Sequence, residues 1–547
     1  MAKTTVIPEK ESNIFWPTAS LIMIILVLTM ARGVPRPFGG LHSWATASGA
    51  WAARAHVKYG LAYTKGMTTW AVGNPPTPNP TVYKDHPQLA VLSLALFMKI
   101  FGVSELSYQL LNILMSLGTL LIILKLFKGL LDNKTALLAA LFYVLFPLIG
   151  YFGTGGFPNL FGFLAIYCYL ALTERIESER NKRFYMIILA TALFFAVQFG
   201  WTGFFFGMAI GFDYLFQCLV RKKMPDIKIL AVLAGAPLGS MLLNFIIMAS
   251  GYGWNIDKIV ELYRWRSAKG EMPEFVWGAW FAKMWGFAAT NFTVPVLIAA
   301  ILYLTIGQLL VFSQPKPAQA DFRKRRFPCF LLFFLLPFFQ LFILKGALWR
   351  HQTWELPLCA LVAIAASQGT MLLADLASKI NKKYAIAAIV FVTGMFLVFS
   401  IIGTNHYYAI RWQPDAKIKM FQMLNSRIPP DKYLLSFDPF IVDQHESKGA
   451  FYRPEVAWYL DREITHAMKF EDITTAAKIG KYPFYLMPLS VGDPQSDAYL
   501  NNLSKQLGQL YRYEYISGVS GEMDKKGRFL KAGMSSYVLF DLQNPVK

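Results

Sequence analysis

Residues 83–102 read YKDHPQLAVLSLALFMKIFG, an apolar run that opens on Lys84, Asp85 and His86 and carries Lys99 near its end. From His86 to Phe101 the run offers only 16 residues, short of the ~20 that a helix needs to cross a bilayer core about 30 Å thick. Its placement decides the topology of everything that follows. Basic residues collect in the cytoplasmic loops of membrane proteins. Here Lys125, Lys128 and Lys134 form one basic loop, and Arg175, Arg180, Lys182 and Arg183 the next. Arg221, Lys222, Lys223 and Lys228 follow, then Lys316 with Arg323, Lys324, Arg325 and Arg326, then Lys379, Lys382 and Lys383. If 86–101 stays on one side, every second loop is basic and cytoplasmic. If it crossed, all of these charges would move outside. The run is therefore expected to lie along the outer surface as an interfacial helix.

Composition agrees with a membrane protein. Of 547 residues, 55% are hydrophobic and 16% charged, whereas soluble domains run near a quarter charged. Eleven apolar runs are expected to span, at 14–32, 106–127, 134–152, 157–173, 184–199, 201–220, 228–249, 293–313, 327–345, 354–376 and 384–403. The N-terminus is then cytoplasmic. The formal charge of +20 sits largely in short loops, where it sets topology and does not form a nucleic-acid face. Cys168, Cys218, Cys329 and Cys359 all fall in apolar runs without CxxC spacing, so neither a disulfide framework nor a zinc site is expected.

Two outer loops are long. The first, Gly33 to Glu105, contains a second surface helix near 41–59. In it Trp44, Trp51 and Tyr59 are expected to face the lipid boundary, Arg54 and Lys58 the other side, and His56 solvent. The second, Ser250 to Phe292, carries Trp254, Trp265, Trp277, Trp280 and Trp285, read as interface anchors. From residue 404 the chain turns polar, with strand-like runs at Tyr433–Phe437, Tyr482–Leu486 and Tyr537–Phe540. The expected organisation is a transmembrane domain at 1–403 and an extracytoplasmic α/β or α+β domain at 404–547.

Polar residues that could carry chemistry gather on the outer side. Asp85 suits a general base for an acceptor hydroxyl, or a helix N-cap ahead of Pro87. Lys84 offers a point charge to a phosphate. His42 is open between base, phosphate ligand and cap. Gly153-Thr154-Gly155-Gly156-Phe157-Pro158-Asn159 permits close backbone approach to a ligand, or makes a tight turn. In Trp349-Arg350-His351-Gln352-Thr353-Trp354-Glu355, Arg350 suits bidentate phosphate binding, with Glu355 as a structural partner. Asp213, within a span, is read as helix-packing glue or as polarity at a lipid gate. The tail run Asp443-Gln444-His445-Glu446 has irregular spacing and is read as a solvated loop.

One span, a long outer loop with two surface helices, Tyr83-Lys84-Asp85-His86-Pro87-Gln88-Leu89 and then Phe101-Gly102 together resemble the GT-C superfamily of integral-membrane glycosyltransferases. The likeness is nearest to relatives of the protein O-mannosyltransferases and of the lipid A aminoarabinose transferase. Arg350 to Pro357 looks like that group's late His-x-aromatic-x-x-x-x-Pro element. The resemblance implies a sugar donor carried on a polyprenyl phosphate, a cavity on the extracytoplasmic face, and an acidic residue of the first outer loop that acts as base or orients the acceptor. Asp85 and His42 are then the catalytic candidates. Lys84, Arg350 and His351 would hold the donor phosphate, and His86, Asn159 and Glu355 the substrates. The acceptor would be a glycan, lipid or protein, and membrane lipids would surround the chain. The sequence departs from the family pattern where His42 and Asn159 stand in place of acidic residues. No cofactor is required, and a divalent metal, though chemically conceivable, finds no support in these residues. An inactive scaffold of the same fold and a transporter of lipid-linked substrates are the alternatives.

Overall fold

The computed structural model describes residues 14–34, 37–38, 43–84, 86–174, 178–252, 256–267, 276–309, 331–410, 416–437, 442–443, 451–452, 454–490, 493–516 and 537–546. It gathers into two compact units. One draws on 1–35, 84–90 and 108–409, the other on 36–83, 91–107 and 410–547.

The first unit is a helical membrane bundle. Seven helices are long and apolar enough to cross: Glu105–Leu130, Gly156–Thr173, Glu179–Phe199, Thr202–Val220, Ile227–Gly251, Leu358–Ser378 and Lys382–Tyr408. An eighth results if Trp277–Phe292 and Val294–Gly307, bent by 105° to each other, count as one broken span. Phe15–Ala31, Asn133–Leu145 and Leu331–Ile343 are shorter apolar helices. The eleven expected runs are thus all helical among the described residues, while only seven or eight have full spanning length. Local sequence explains one shortening. Asp132 caps the third run by accepting from the Thr135 backbone N–H at 3.0 Å. Pro147 then cuts it, since a proline offers no N–H to continue the ladder, and a second helix starts at Pro147–Phe152. Deep in the bundle the Tyr169 hydroxyl donates to Asp213 at 2.6 Å, the packing role expected of that carboxylate.

The second unit joins residues 36–83 and 91–107 to the C-terminal segment. The surface helix runs from Ser43 to Thr64, and its faces differ from expectation. Trp51 is fully buried, donates its indole N–H to the Ala71 carbonyl at 2.7 Å and stacks on Trp70. Tyr59 donates to the Gly73 carbonyl at 2.6 Å. His56 is also buried, 2.7 Å from the Thr64 hydroxyl, and desolvation lowers its pKa to about 4. The physical reason is that this helix has protein on both flanks: strand β1 (Thr68–Trp70), paired antiparallel with β2 (Thr81–Tyr83), and helix Pro454–Leu460. Across the latter contact Arg54 donates to the carbonyls of Trp458 and Ala457 at 2.6 and 2.8 Å. Arg54 also pairs with Asp461 at 3.3 Å, and Lys58 with the same carboxylate at 2.7 Å. The helix Leu89–Phe101 has 13 residues, about 20 Å of length.

The rest of this unit is a small mixed sheet. Beyond β3 (Leu434–Ser436), the pairs β4 (Val442–Asp443) and β5 (Phe451–Tyr452) form a separate ribbon. With β6 (Ile464–His466), β7 (Phe484–Pro488), β8 (Tyr511–Ile516) and β9 (Tyr537–Pro545) the main order is β6-β3-β7-β9-β8. β3 pairs in parallel with β6 and β7, and the remaining pairs are antiparallel. The three strand-like runs read from sequence are three of these five strands. Leu435, Tyr485, Met487, Val538 and Phe540 share a buried cluster with Leu500, Leu503 and Leu507. The last three recur at helical spacing on Pro494–Leu510, whose N-cap Asp493 accepts from the Ser496 N–H at 2.9 Å.

Asp461 is the shared counter-charge of Arg54 and Lys58, and removing one partner of a largely buried pair leaves the other charge uncompensated. We predict that Asp461→Ala destabilises the second unit by about 2–4 kcal/mol, read as a lower thermal midpoint of the intact chain. Asp461→Asn should lose less, because its amide oxygen can still accept from Lys58.

Candidate functional site

The loop 153–159 is shaped by glycine. Gly153, Gly155 and Gly156 all have positive φ, a region that side chains disfavour. At Gly155 (φ +85) a Cβ would stand 2.4 Å from the Asn159 amide and 3.2 Å from Leu356 Cδ1. The loop therefore lies against the 350–357 segment. Asn159 is buried, and its amide donates to the Thr154 carbonyl at 2.7 Å. The side chain expected to meet substrate closes its own loop.

The 350–357 segment interrupts the helical bundle. Helix Lys345–Arg350 ends at His351, whose backbone is extended (φ −134°, ψ 105°). A single tight turn, Gln352–Glu355, follows before Leu358–Ser378. The turn is held by a buried polar chain. The Asn291 amide donates to Glu355 Oε2 at 2.7 Å and to the Gln352 carbonyl at 3.4 Å. The Gln352 amide donates to the Tyr407 hydroxyl at 2.8 Å, and that hydroxyl donates to Asn291 Oδ1. Tyr151 stacks on Tyr407 with centroids 5.4 Å apart. Asn291 is placed by the sharp bend at Thr293, a β-branched residue with φ +70°, a conformation that only a constrained site retains.

Glu355 thus pairs with Asn291 and not, as expected, with Arg350. The Arg350 guanidinium lies over the Trp265 ring, 4.0 Å from its centroid, which draws it away from the buried turn. Burial raises the Glu355 carboxyl to about 8 against the opposing hydrogen bond from Asn291, so the group is neutral at pH 7.

A second cluster joins segments far apart in the chain. Arg266, buried at the end of helix Ile256–Arg266, brings one guanidinium nitrogen to 3.3 Å from Nδ1 and 3.4 Å from Nε2 of His86. Burial, followed by Arg266, holds His86 well below the usual imidazole range. His351 is lowered by burial first, then by Arg350 and Arg266. Arg266 therefore stands in the electrostatic reach of both His86 and His351, and links the 84–86 segment to 350–351. Lys84 is half-buried two residues before His86. Asp85 and His42 lie outside the described residues, as do most of the tail residues read as a solvated loop.

Arg266, Trp265, Asn291 and Tyr407 were not singled out as site residues by sequence reasoning. The available signal was weak. Arg266 follows a tryptophan in the stretch 250–292, and Asn291 lies two residues before the eighth apolar run. Among the described residues no group of three His, Cys, Asp or Glu side chains converges as a metal site.

A family model for dolichyl-phosphate-mannose-protein mannosyltransferases matches residues 85–238. No curated protein sequence matches the chain. Among solved structures, ArnT from Cupriavidus metallidurans bound to undecaprenyl phosphate is similar at 12% identity and TM-score 0.56, covering 97% of this chain and 98% of that one. The same protein in the apo state is similar at 11% identity, with TM-score 0.56 and coverage of 96% and 97%. The oligosaccharyltransferase AglB from Archaeoglobus fulgidus, in complex with an inhibitory peptide and a dolichol-phosphate, is similar at 11% identity and TM-score 0.53, covering 95% of this chain and 74% of that one. The chain has the GT-C fold and is a multi-pass membrane protein.

The raised carboxyl of Glu355 makes a pH prediction. A carboxyl whose folded pKa is about 8 holds its proton after the unfolded chain has lost its own near 4.3. Folded molecules then bind more protons, so stability falls as pH rises between these values and levels off above 8. The slope is at most about 1.4 kcal/mol per pH unit. Thermal midpoints from pH 5 to 9 should fall more steeply for the natural chain than for Glu355→Gln. Parallel curves would refute a buried neutral acid.

Proposed function

We propose that this chain is a glycosyltransferase that moves a sugar from a polyprenyl-phosphate donor to an acceptor at the extracytoplasmic face, with the N-terminus cytoplasmic. One observation carries the reading: the Arg266 guanidinium stands 3.3 Å from His86, and His351, next to Arg350, is held below the usual imidazole range by burial and then by Arg350 and Arg266. The local charge is positive, which suits an anionic phosphate. The family match over 85–238 and the lipid phosphates named for ArnT and AglB support the same donor class.

In the transfer, the bond between the anomeric carbon and the phosphate oxygen breaks and a bond from the acceptor oxygen to that carbon forms. Negative charge grows on the departing phosphate. Lys84, Arg266 and Arg350 stabilise it, because fixed positive groups in a site shielded from water act strongly on developing charge. His351, neutral at rest, donates a hydrogen bond to the phosphate and is free to gain a proton as that charge approaches. The acceptor proton passes to Asp85, with His42 as the other candidate base. His86, Asn159 and Glu355 shape the substrate pocket. Glu355 can donate a hydrogen bond as a neutral acid, and Asn159 acts by holding its loop. The donor chain lies among the apolar spans.

A second reading is an inactive scaffold of the same fold. It is favoured by Asn159, whose amide is engaged by its own loop where the family pattern has an acid.

Purified chain mixed with polyprenyl-phosphate sugars separates these readings. The transferase reading expects sugar release that is lost in Asp85→Asn and reduced about 10²–10³-fold in Arg266→Ala. Asp257→Asn, exposed at the start of the helix that ends in Arg266, should keep full turnover. Unchanged turnover in Asp85→Asn would reject the base assignment. Binding of the donor without release by the natural chain would favour the scaffold.

A further inference from the structure

Helix Trp277–Phe292 has a property that the transfer reaction does not use. Trp277, Phe281 and Trp285 recur every four residues and are 45%, 53% and 53% exposed. Four-residue steps drift by about 40°, so the three rings form one apolar stripe. On another face Trp280 is buried and donates its indole N–H to the Lys345 carbonyl at 3.1 Å, which ties the helix to Lys345–Arg350. Two ammonium groups sit on indole faces along this junction. Lys283 Nζ is 4.2 Å from the Trp349 ring centroid, and Lys345 Nζ is 4.5 Å from that of Trp277.

Within helices Trp277–Phe292 and Lys345–Arg350 the charged residues are Lys283, Lys345 and Arg350; Glu274 precedes the first in sequence and Glu355 follows the second. The 105° bend turns the helix across the direction of the helix that follows. An exposed aromatic stripe beside oriented lysines is the chemistry that holds a lipid headgroup. The rings enter the acyl boundary and the ammonium groups meet phosphate. The cation–π contacts fix the lysines before any lipid arrives, which reduces the ordering required on binding.

We propose that helix Trp277–Phe292, with Lys283 and Lys345, forms a binding surface for anionic phospholipid headgroups that does not use the donor-phosphate residues Lys84, Arg266 and Arg350 and is independent of whether the chain is a transferase. The occupant is the phosphate-bearing headgroup of a bilayer lipid. A partner protein would require acidic complementarity and would leave the aromatic stripe unexplained.

The test uses the full chain in mixed micelles with equal phosphatidylglycerol and phosphatidylcholine, and retained lipid is counted by native mass spectrometry. About tenfold enrichment of phosphatidylglycerol is expected for the natural chain. The double variant Lys283→Gln/Lys345→Gln should approach parity, and Lys283→Arg/Lys345→Arg should keep the preference. If the glutamine variant misfolds, a salt titration of the natural chain serves instead, and the enrichment should fade at high ionic strength. Inorganic phosphate should not displace the lipid. Equal retention of both lipids, or enrichment unchanged by the glutamine substitutions in a folded variant, would overturn the proposal. So would enrichment that added polyprenyl phosphate abolishes at equimolar amounts.

Discussion

Hydrocarbon cannot solvate a hydrogen-bonding group, so every polar side chain in the membrane bundle must find its partner inside the protein. The break between Leu331–Ile343 and Leu358–Ser378 is where this requirement is hardest to meet, because backbone leaves the helical ladder there. Asn291, Gln352, Glu355 and Tyr407 answer it together. Each satisfies another, and the turn they hold carries Arg350 and His351 at its entrance. The unusual backbone at Thr293 is tolerated because it delivers Asn291 to this network. Chemistry at the segment's edge depends on that support, since the positions of the cations follow from the turn.

Burial also decides the charge states. The same desolvation that raises Glu355 lowers His86 and His351. Each group is pushed towards its neutral form, whichever direction that is. The result is a region in which the weaker acids and bases are pushed towards their uncharged forms beside two arginines, Arg266 and Arg350. Arginine suits this role because its guanidinium stays protonated under conditions that neutralise a histidine or a carboxyl. In the proposed transferase reading, this region is where a lipid phosphate would be met.

The second unit obeys a different constraint. Its core comes from strand alternation and one amphipathic helix, as in a soluble protein. The first outer loop belongs with it because Asp461 and two backbone carbonyls complete the bonding of Arg54 and Lys58. A helix that looks like a membrane-surface element by composition is instead bonded to residues more than 400 positions away. Trp51 and His56 are buried as a consequence.

Sequence alone determined the membrane class, the places of the apolar helices and three of the five strands, because hydrophobic run length and two-residue alternation are local properties. It also drew attention to 83–89 and 350–357, where charge stands next to apolar runs. It could not reveal that Glu355 belongs to Asn291, that Arg350 lies on Trp265, or that Arg266 reaches His86. Those contacts join residues up to 180 positions apart, and no pattern along the chain encodes which polar partner a bend will bring near. The faces of Ser43–Thr64 were misjudged for the same reason: amphipathicity says that one side avoids water and leaves open whether lipid or protein covers it. Only the tertiary structure decided that, by supplying β1 and the helix Pro454–Leu460 as the cover.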